Sequence, residues 1–147
     1  IDNLLNFFAH LRHKRSIVII DDDPAFCRTM GDILRGHTFS VSEIRPLDNI
    51  IERLGAENQI VLLDMKLNGD GGLEILLGIK EQYPDLPVIL ITGYREEMKA
   101  SIDVALTIGA ATYFYKPLPI DDLLQSLNEI FCQPLISLLR KSEPRGL

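Results

Sequence analysis

Short apolar runs rich in β-branched and aromatic residues recur along the chain, and each ends at a polar residue. Between them, apolar residues recur at helical spacing, so a strand followed by a helix repeats five times. The predicted strands are 17–20, a weaker and more polar 39–44, 60–63, 88–91 and 112–115. The predicted helices are 24–36, 47–54, 73–83, 96–108 and about 119–131. The spacing predicts one apolar face of the first helix with Phe26, Met30, Ile33 and Leu34, and one of the third with Leu73, Leu76 and Leu77.

Alternating strands and helices of this length favour a parallel sheet covered by helices on both faces. We therefore predict an α/β fold of the flavodoxin-like type, a (βα)5 three-layer sandwich with the strand order 2-1-3-4-5. In that order the first and third strands flank the crevice where such sheets bind ligands, and the second strand is an outer edge. The second strand alone ends without a reactive side chain, at Ile44-Arg45-Pro46, which agrees with an edge position.

The size and charge of the chain narrow its function. Its 147 residues suit one domain with a complete core. A formal charge of -6 with intermixed acids and bases argues against direct nucleic-acid binding, which requires a basic surface. No apolar run approaches the roughly twenty residues needed to span a bilayer, so we expect no membrane contact by this segment and a cytoplasmic location.

Two short amphipathic segments flank the repeat. We predict an N-terminal extension or linker helix at 1–15, the main domain at 16–133 and a C-terminal extension at 134–147. The apolar stripes of the two segments are compatible with packing on the domain, on each other or on a second chain. The chain begins with Ile1 rather than Met, which suggests a segment of a longer protein.

The polar residues at the strand ends are those of a metal-assisted phosphoryl site. Asp21 and Asp22 follow the first strand, and Asp64, Thr92 and Lys116 follow the third, fourth and fifth. Parallel strands end at one rim, so these side chains are expected to converge. Neighbouring carboxylates repel one another unless protons or a cation intervene, and Mg²⁺ prefers oxygen ligands. Asp64 is either a nucleophile that forms an acyl phosphate or an ordinary turn acid.

Two neighbouring residues have structural explanations. Asp23 precedes Pro24, which favours the first turn of a helix, so we expect Asp23 to cap that helix rather than join the site. Pro117 directly after Lys116 raises the chance of a cis peptide bond, which would fix the direction of the ammonium group.

These motifs resemble the receiver domain of bacterial two-component response regulators. The resemblance covers Ser16 to about Phe131, with matching order and spacing throughout. The resemblance rests on five motifs: Ile-Ile-Asp21-Asp22-Asp23-Pro, Leu-Leu-Asp64-Met65-Lys66-Leu67, Gly71-Gly72-Leu73-Glu74, Ile91-Thr92-Gly93-Tyr94, and Gly109-Ala110 through Tyr113 to Lys116-Pro117.

The resemblance implies a phosphoacceptor and a metal site. The family residue that matches Asp64 accepts a phosphoryl group from a kinase phosphohistidine. Mg²⁺ would be held by Asp22, Asp64 and the Lys66 carbonyl, and Asp21 would act partly through water.

The resemblance also implies a conformational switch. Thr92 would contact the phosphate and Lys116 would pair with it. Tyr113 would be the aromatic residue that turns inward when Thr92 moves, although an ordinary strand aromatic explains it too. The readout surface would comprise the fourth helix, the fifth strand and the fifth helix.

The implied partners are a sensor histidine kinase or phosphotransfer domain, and an output domain or downstream effector. The parent is either a stand-alone regulator or a multidomain protein such as a hybrid histidine kinase, so the sequence leaves open whether the parent is an enzyme. A homodimer through the readout surface or the terminal helices also stays open.

The chain departs from the family pattern at one loop. Asn68 stands where many receivers carry Pro, and Gly69-Asp70-Gly71-Gly72 follows it.

Lys66 and Tyr94 lie two residues beyond Asp64 and Thr92, at positions that border the path of the hydrolytic water in this family. Two bulky side chains there predict slow loss of the phosphoryl group.

Two other functions remain as alternatives. A haloacid-dehalogenase-type phosphatase also uses a strand-end Asp, a Thr or Ser, a Lys and Mg²⁺, but its last acidic motif follows the Lys, and no acid ends a strand beyond Lys116. A receiver-like docking module without phosphotransfer would keep the same fold, and the complete set of site residues gives no reason to prefer it.

Overall fold

A computed structural model describes residues 15–44, 49–55, 59–66, 71–93 and 95–142, with side chains except at residue 95 and residues 134–142. The amphipathic segment predicted before residue 15 lies outside the described residues, as does the loop at 67–70. The chain forms two compact units, the first ending at Pro117 and the second beginning at Leu118.

The first unit contains a five-stranded parallel sheet with the order β2-β1-β3-β4-β5, so the predicted α/β fold and strand order are confirmed. The register pairs Ile20 with Leu63 and Thr92 with Tyr115, which aligns the carboxyl ends of neighbouring strands. The strands are β1 Ser16–Ile20, β2 Ser40–Glu43, β3 Gln59–Asp64, β4 Val88–Thr92 and β5 Thr112–Tyr115.

Among the described residues of the first unit, four helices alternate with these strands. They are α1 Pro24–Gly36, α2 Ile50–Arg53, α3 Gly72–Gln82 and α4 Arg95–Ile108. The helix predicted at 47–54 is shorter than expected, because Asn49 adopts a left-handed backbone with φ of 54° and Leu54 is already extended. Lys116 and Pro117 are joined by a cis peptide bond, as predicted.

The sheet is buried on both faces, which explains its nearly continuous apolar runs. One face packs with α2, α3 and α4 in a single cluster, to which the strands contribute Val18, Ile20, Val61, Leu63, Val88 and Leu90. Side chains alternate along a strand, so Ile17, Ile19, Ile60, Leu62 and Ile89 point to the opposite face, and all are fully buried. The strand ends are therefore held by a closely packed support.

Two helix faces differ from the prediction. The buried stripe of α1 is Cys27, Met30, Gly31 and Leu34, whereas Phe26, predicted to face the core, is only partly buried. In α3 the buried residues are Gly72, Leu76 and Ile79, and the predicted core residue Leu77 is 47% exposed. Apolar residues at neighbouring positions made the centre of each stripe ambiguous.

The second unit contains α5, Ile120–Ser142, with Asp121 and Asp122 in the first turn, where the helix dipole favours acids. Its predicted end near residue 131 is wrong, because the helix continues through Pro134 into the amphipathic segment predicted as a C-terminal extension. The helix therefore crosses the position 133/134, where the sequence predicted the end of the main domain. That division of the chain into domains stays a prediction. No helix in the described part of the chain is long and apolar enough to cross a membrane.

Candidate functional site

Three carboxylates meet at the carboxyl ends of β1 and β3. Asp21 and Asp22 directly follow β1, and Asp64 is the last residue of β3. One carboxylate oxygen of each residue lies within 4.8 Å of the others. Asp21 is 1% exposed and Asp64 is 7% exposed, whereas Asp22 is open to solvent. The structure thus brings together the acids that the sequence placed at one rim.

Backbone hydrogen bonds hold the two buried carboxylates. Asp23 donates its backbone N–H to Asp21 Oδ1 at 2.9 Å, and Lys66 donates its backbone N–H to Asp64 Oδ1 at 3.2 Å. The turn after Asp64 is tied to the sheet, because Met65 N–H donates to the Ile91 carbonyl oxygen at 2.9 Å. Both acids therefore have a defined direction at the strand ends.

The ammonium group of Lys116 lies among these acids. Its Nζ donates a hydrogen bond to Asp21 Oδ2 at 2.8 Å and lies 3.8 Å from Asp64 Oδ2. The residue follows β5, and its backbone N–H donates to the Thr92 carbonyl oxygen at 2.8 Å. Lys116 is thus close to both buried acids, with its shorter contact to Asp21.

Burial and neighbouring charges shift two pKa values at the site. Burial, together with the negative charge of Asp21, raises the pKa of Asp64 from 3.8 to about 6, although the Lys66 amide and Lys116 oppose the shift. Burial alone would lower the pKa of Lys116, but its hydrogen bond to Asp21 and the charge of Asp64 raise it. The surroundings of Asp64 thus disfavour its charged form, whereas those of Lys116 favour its charged form.

The carboxylates have the chemistry of a hard-cation site. Their oxygen atoms are the ligand type that Mg²⁺ selects, and a divalent cation would offset the negative charge of Asp21, which adds to burial in raising the pKa of Asp64. The cluster of Asp21, Asp22 and Asp64 could therefore hold a metal ion.

The two predicted switch residues occupy different environments. Thr92 is fully buried as the last residue of β4. Tyr113, in β5, is 40% exposed, and its ring makes an edge-to-face contact with Tyr115 at a centroid distance of 5.7 Å. The structure thus has the hydroxyl residue inside the fold and the aromatic residue at its surface.

The Lys66 side chain makes a contact that the sequence analysis did not anticipate. Its Nζ forms an ion pair with Glu97 Oε2 at 2.9 Å, which connects the turn after β3 with the first turn of α4. Tyr94, its predicted companion in shielding the phosphoryl group, lies outside the described residues.

Asp23 caps α1, so that prediction is confirmed. Its Oδ1 accepts hydrogen bonds from the backbone N–H groups of Ala25 at 3.0 Å and Phe26 at 3.3 Å. Sequence analysis missed a contact of the next turn: the Phe26 ring lies beneath Lys116, with Nζ 4.2 Å from the ring centroid. No local signal in the sequence identifies this contact, because Phe26 has the helical spacing of a core residue.

Comparison with known proteins agrees with this geometry. The profile of the response regulator receiver domain matches residues 17–128. The transcriptional regulatory protein ZraR of Klebsiella oxytoca is 30% identical over 128 residues, which cover 82% of this chain and 27% of that protein. The photosynthetic apparatus regulatory protein RegA of Rhodobacter capsulatus is 29% identical over 122 residues, covering 82% and 65%. The chain thus spans less than two thirds of either relative.

A solved receiver-domain structure is also similar to this chain. The N-terminal signal receiver domain of a two-component system response regulator from Bacteroides fragilis has a TM-score of 0.66 and 34% sequence identity, covering 80% of this chain and 97% of that one. The region matched by the family profile includes every site residue from Asp21 to Lys116. This chain therefore belongs to the response regulator receiver domain family.

Proposed function

We propose that Asp64 is the phosphoacceptor of a two-component phosphorelay and receives its phosphoryl group from a kinase or phosphotransfer-domain phosphohistidine. The observation that carries this proposal is the position of Asp64, whose carboxylate shares a 4.8 Å cluster with Asp21 and Asp22 and lies 3.8 Å from the Lys116 ammonium. Acids and a cation around one carboxylate suit phosphoryl transfer, which depends mainly on positioning and charge stabilisation.

In the proposed reaction, a carboxylate oxygen of Asp64 attacks phosphorus in line with the histidine nitrogen. The O–P bond forms as the P–N bond breaks, and the imidazole leaves with that electron pair. Mg²⁺, held by Asp22, Asp64 and the Lys66 carbonyl with Asp21 acting partly through water, would neutralise charge on the phosphoryl oxygens. Lys116 would pair with the phosphoryl group, aided by its position 3.8 Å from Asp64 Oδ2.

The switch would follow from new contacts to the phosphoryl group. Thr92 would donate its hydroxyl to a phosphoryl oxygen, and Tyr113 would turn inward from the 40% exposed position that it has here. Because these contacts exist only in the phosphorylated form, they would favour a second conformation of the domain.

An output domain or downstream effector would read this conformation. Exposed apolar side chains support a role for α4 and β5 in docking, or in a homodimer: Val104 is 48% exposed, Leu106 36% and Tyr113 40%. The relatives are longer than this chain, which supports a parent with further domains, as a stand-alone regulator or a hybrid histidine kinase. Partnership with a histidine kinase would place the domain in the cytoplasm.

Phosphorylation by acetyl phosphate with Mg²⁺ tests the proposal, with intact mass and released phosphate measured in parallel. We expect a persistent acyl phosphate on the wild-type chain, and none on the Asp64→Asn variant or in excess EDTA. Continuous release of phosphate from the donor would instead indicate a phosphatase. No uptake at all, from acetyl phosphate or from a phosphohistidine protein, would indicate a docking module.

A further inference from the structure

The Lys116 ammonium has an aromatic neighbour in addition to the two acids. Nζ lies 4.2 Å from the centroid of the Phe26 ring, 2.8 Å from Asp21 Oδ2 and 3.8 Å from Asp64 Oδ2. Within about 6 Å of a ring centroid, an ammonium group is attracted by the negative face of the ring. The Lys116 side chain is 24% exposed, so water screens this attraction only in part.

The backbone from which the Phe26 ring projects is held by the same hydrogen bonds that start α1. The Phe26 N–H donates to Asp23 Oδ1 at 3.3 Å, and the Asp23 N–H donates to Asp21 Oδ1 at 2.9 Å. Asp21 in turn accepts the hydrogen bond from Lys116 through Oδ2. The first turn of α1 therefore fixes the Phe26 backbone relative to the carboxylate that binds the ammonium.

Lysine needs such an anchor, because its ammonium is a point charge on a flexible four-carbon stem. A single hydrogen bond to Asp21 would leave the stem free to change rotamer around that contact. The Phe26 ring adds a second fixed contact and keeps Nζ near Asp64 Oδ2, where a phosphoryl group on Asp64 would carry its charge.

We propose that Phe26 is a positioning residue for phosphoryl transfer, whose ring holds the Lys116 ammonium beside the accepting carboxylate of Asp64. The inference rests on the proposed function, since it assigns Phe26 a part in that reaction. A charge already in place when negative charge develops requires no reorganisation during the reaction. The strength of such contacts predicts a loss of about two- to fivefold in phosphorylation rate without the aromatic face.

The contact itself can be tested without phosphorylation. In an NMR spectrum of the metal-free chain, the ring current of Phe26 should shift the Lys116 side-chain protons upfield. The shift should disappear in Phe26→Leu and persist in Phe26→Tyr. Lys116 signals at ordinary positions in the wild-type chain would overturn the inference.

Rates with acetyl phosphate and Mg²⁺ test the role. We expect Phe26→Leu to be about two- to fivefold slower than wild type and Phe26→Tyr to restore most of the rate. Fluorine atoms on the Phe26 ring weaken its negative face with little change of shape, so the rate should fall with each added fluorine. An unchanged rate across the fluorinated series would overturn the inference.

Two further variants separate positioning from a general effect on packing. Phe39→Leu removes a second cation–ring contact, in which Arg15 Cζ lies 4.2 Å from the Phe39 centroid, and should leave the rate unchanged. In a Lys116→Met background, Phe26→Leu should cause no additional loss. Equal losses in both backgrounds, or an equal loss in Phe39→Leu, would overturn the inference. A wild-type chain with shifted Lys116 signals that takes up no phosphoryl group would instead overturn the proposed function.

Discussion

At the scale of single residues, Asp64 combines burial with crowding by other acids, and both disfavour its charged form. Its pKa rises from 3.8 to about 6. Between these two values the folded chain binds more protons at Asp64 than the unfolded chain does, so its contribution to stability is greatest below about pH 4 and is lost as the pH rises through about 6. The charged form of Asp64 is thus disfavoured by its surroundings at neutral pH.

This strain predicts the effect of Asp64→Asn on stability in EDTA. At pH 7.5 the variant should have a free energy of unfolding higher by about 1 kcal/mol, because an amide carries no charge to be crowded. Its stability should also lose the decline between about pH 4 and 6. Urea titrations across this range measure both effects. If the wild-type free energy of unfolding rises relative to that of the variant over this interval, the raised pKa of Asp64 is contradicted.

Lys66 and Tyr94 carry a separate prediction about the lifetime of the acyl phosphate. If their side chains restrict water, Lys66→Ala combined with Tyr94→Ala should speed phosphate loss roughly fivefold, equivalent to about 1 kcal/mol of barrier. The measurement is the decay of the phosphorylated chain after the donor is removed. Lys99→Ala, an exposed lysine of α4, is a matched control. An unchanged or slower decay in the double variant would exclude shielding.

At the scale of elements, the start of α3 is packed directly against the turn behind Asp64. A Cβ at Gly72 would lie 2.7 Å from the Met65 carbonyl carbon, and backbone atoms cannot yield as a side chain can. Met65 itself is fully buried. The contact therefore needs glycine at this position.

Gly72→Ala should accordingly lower the free energy of unfolding by about 1–3 kcal/mol and slow phosphorylation, because the turn that orients Asp64 must shift. Gly78→Ala lies in the same helix, where the nearest atom to the new Cβ would be Ile51 Cδ1 at 3.4 Å. That variant should be neutral or stabilised by up to about 1 kcal/mol, since alanine favours the helix. Equal destabilisation of the two variants would refute the close approach at Gly72.

Periodicity predicted most elements because the sheet is buried on both faces, so its strands are apolar runs that end where the polar rim begins. Strand ends such as Asp64 and Thr92 could be recognised for the same reason. The length of α5 could not, since Pro134 is a general signal for a helix end and local packing decides whether it acts as one. The Phe26–Lys116 contact depends on tertiary structure and has no local pattern.

At the scale of the whole molecule, the domain is expected to convert a charge change at Asp64 into a change at α4 and β5. Buried Thr92 at the end of β4 and exposed Tyr113 in β5 are the proposed link between them. Such coupling requires two conformations whose populations depend on the phosphoryl group.

Amide hydrogen exchange should therefore change in α4 and β5 on phosphorylation of the wild-type chain. Thr92→Ala should still accept the phosphoryl group but show a smaller change there, because the hydroxyl contact that favours the second conformation is missing. Mass spectrometry of peptides from the two elements measures this. An identical exchange response in Thr92→Ala would remove Thr92 from the switch.

The most direct test of the central claim is to locate the phosphoryl group on the chain. After phosphorylation by a histidine kinase or acetyl phosphate, borohydride reduces an aspartyl phosphate to homoserine, which peptide sequencing by mass spectrometry can place. We predict homoserine in place of Asp64 alone, with Asp21 and Asp22 unmodified. Reduction at another residue, or no reduction in a chain that binds Mg²⁺ and remains folded, would contradict the assignment of Asp64 as the phosphoacceptor.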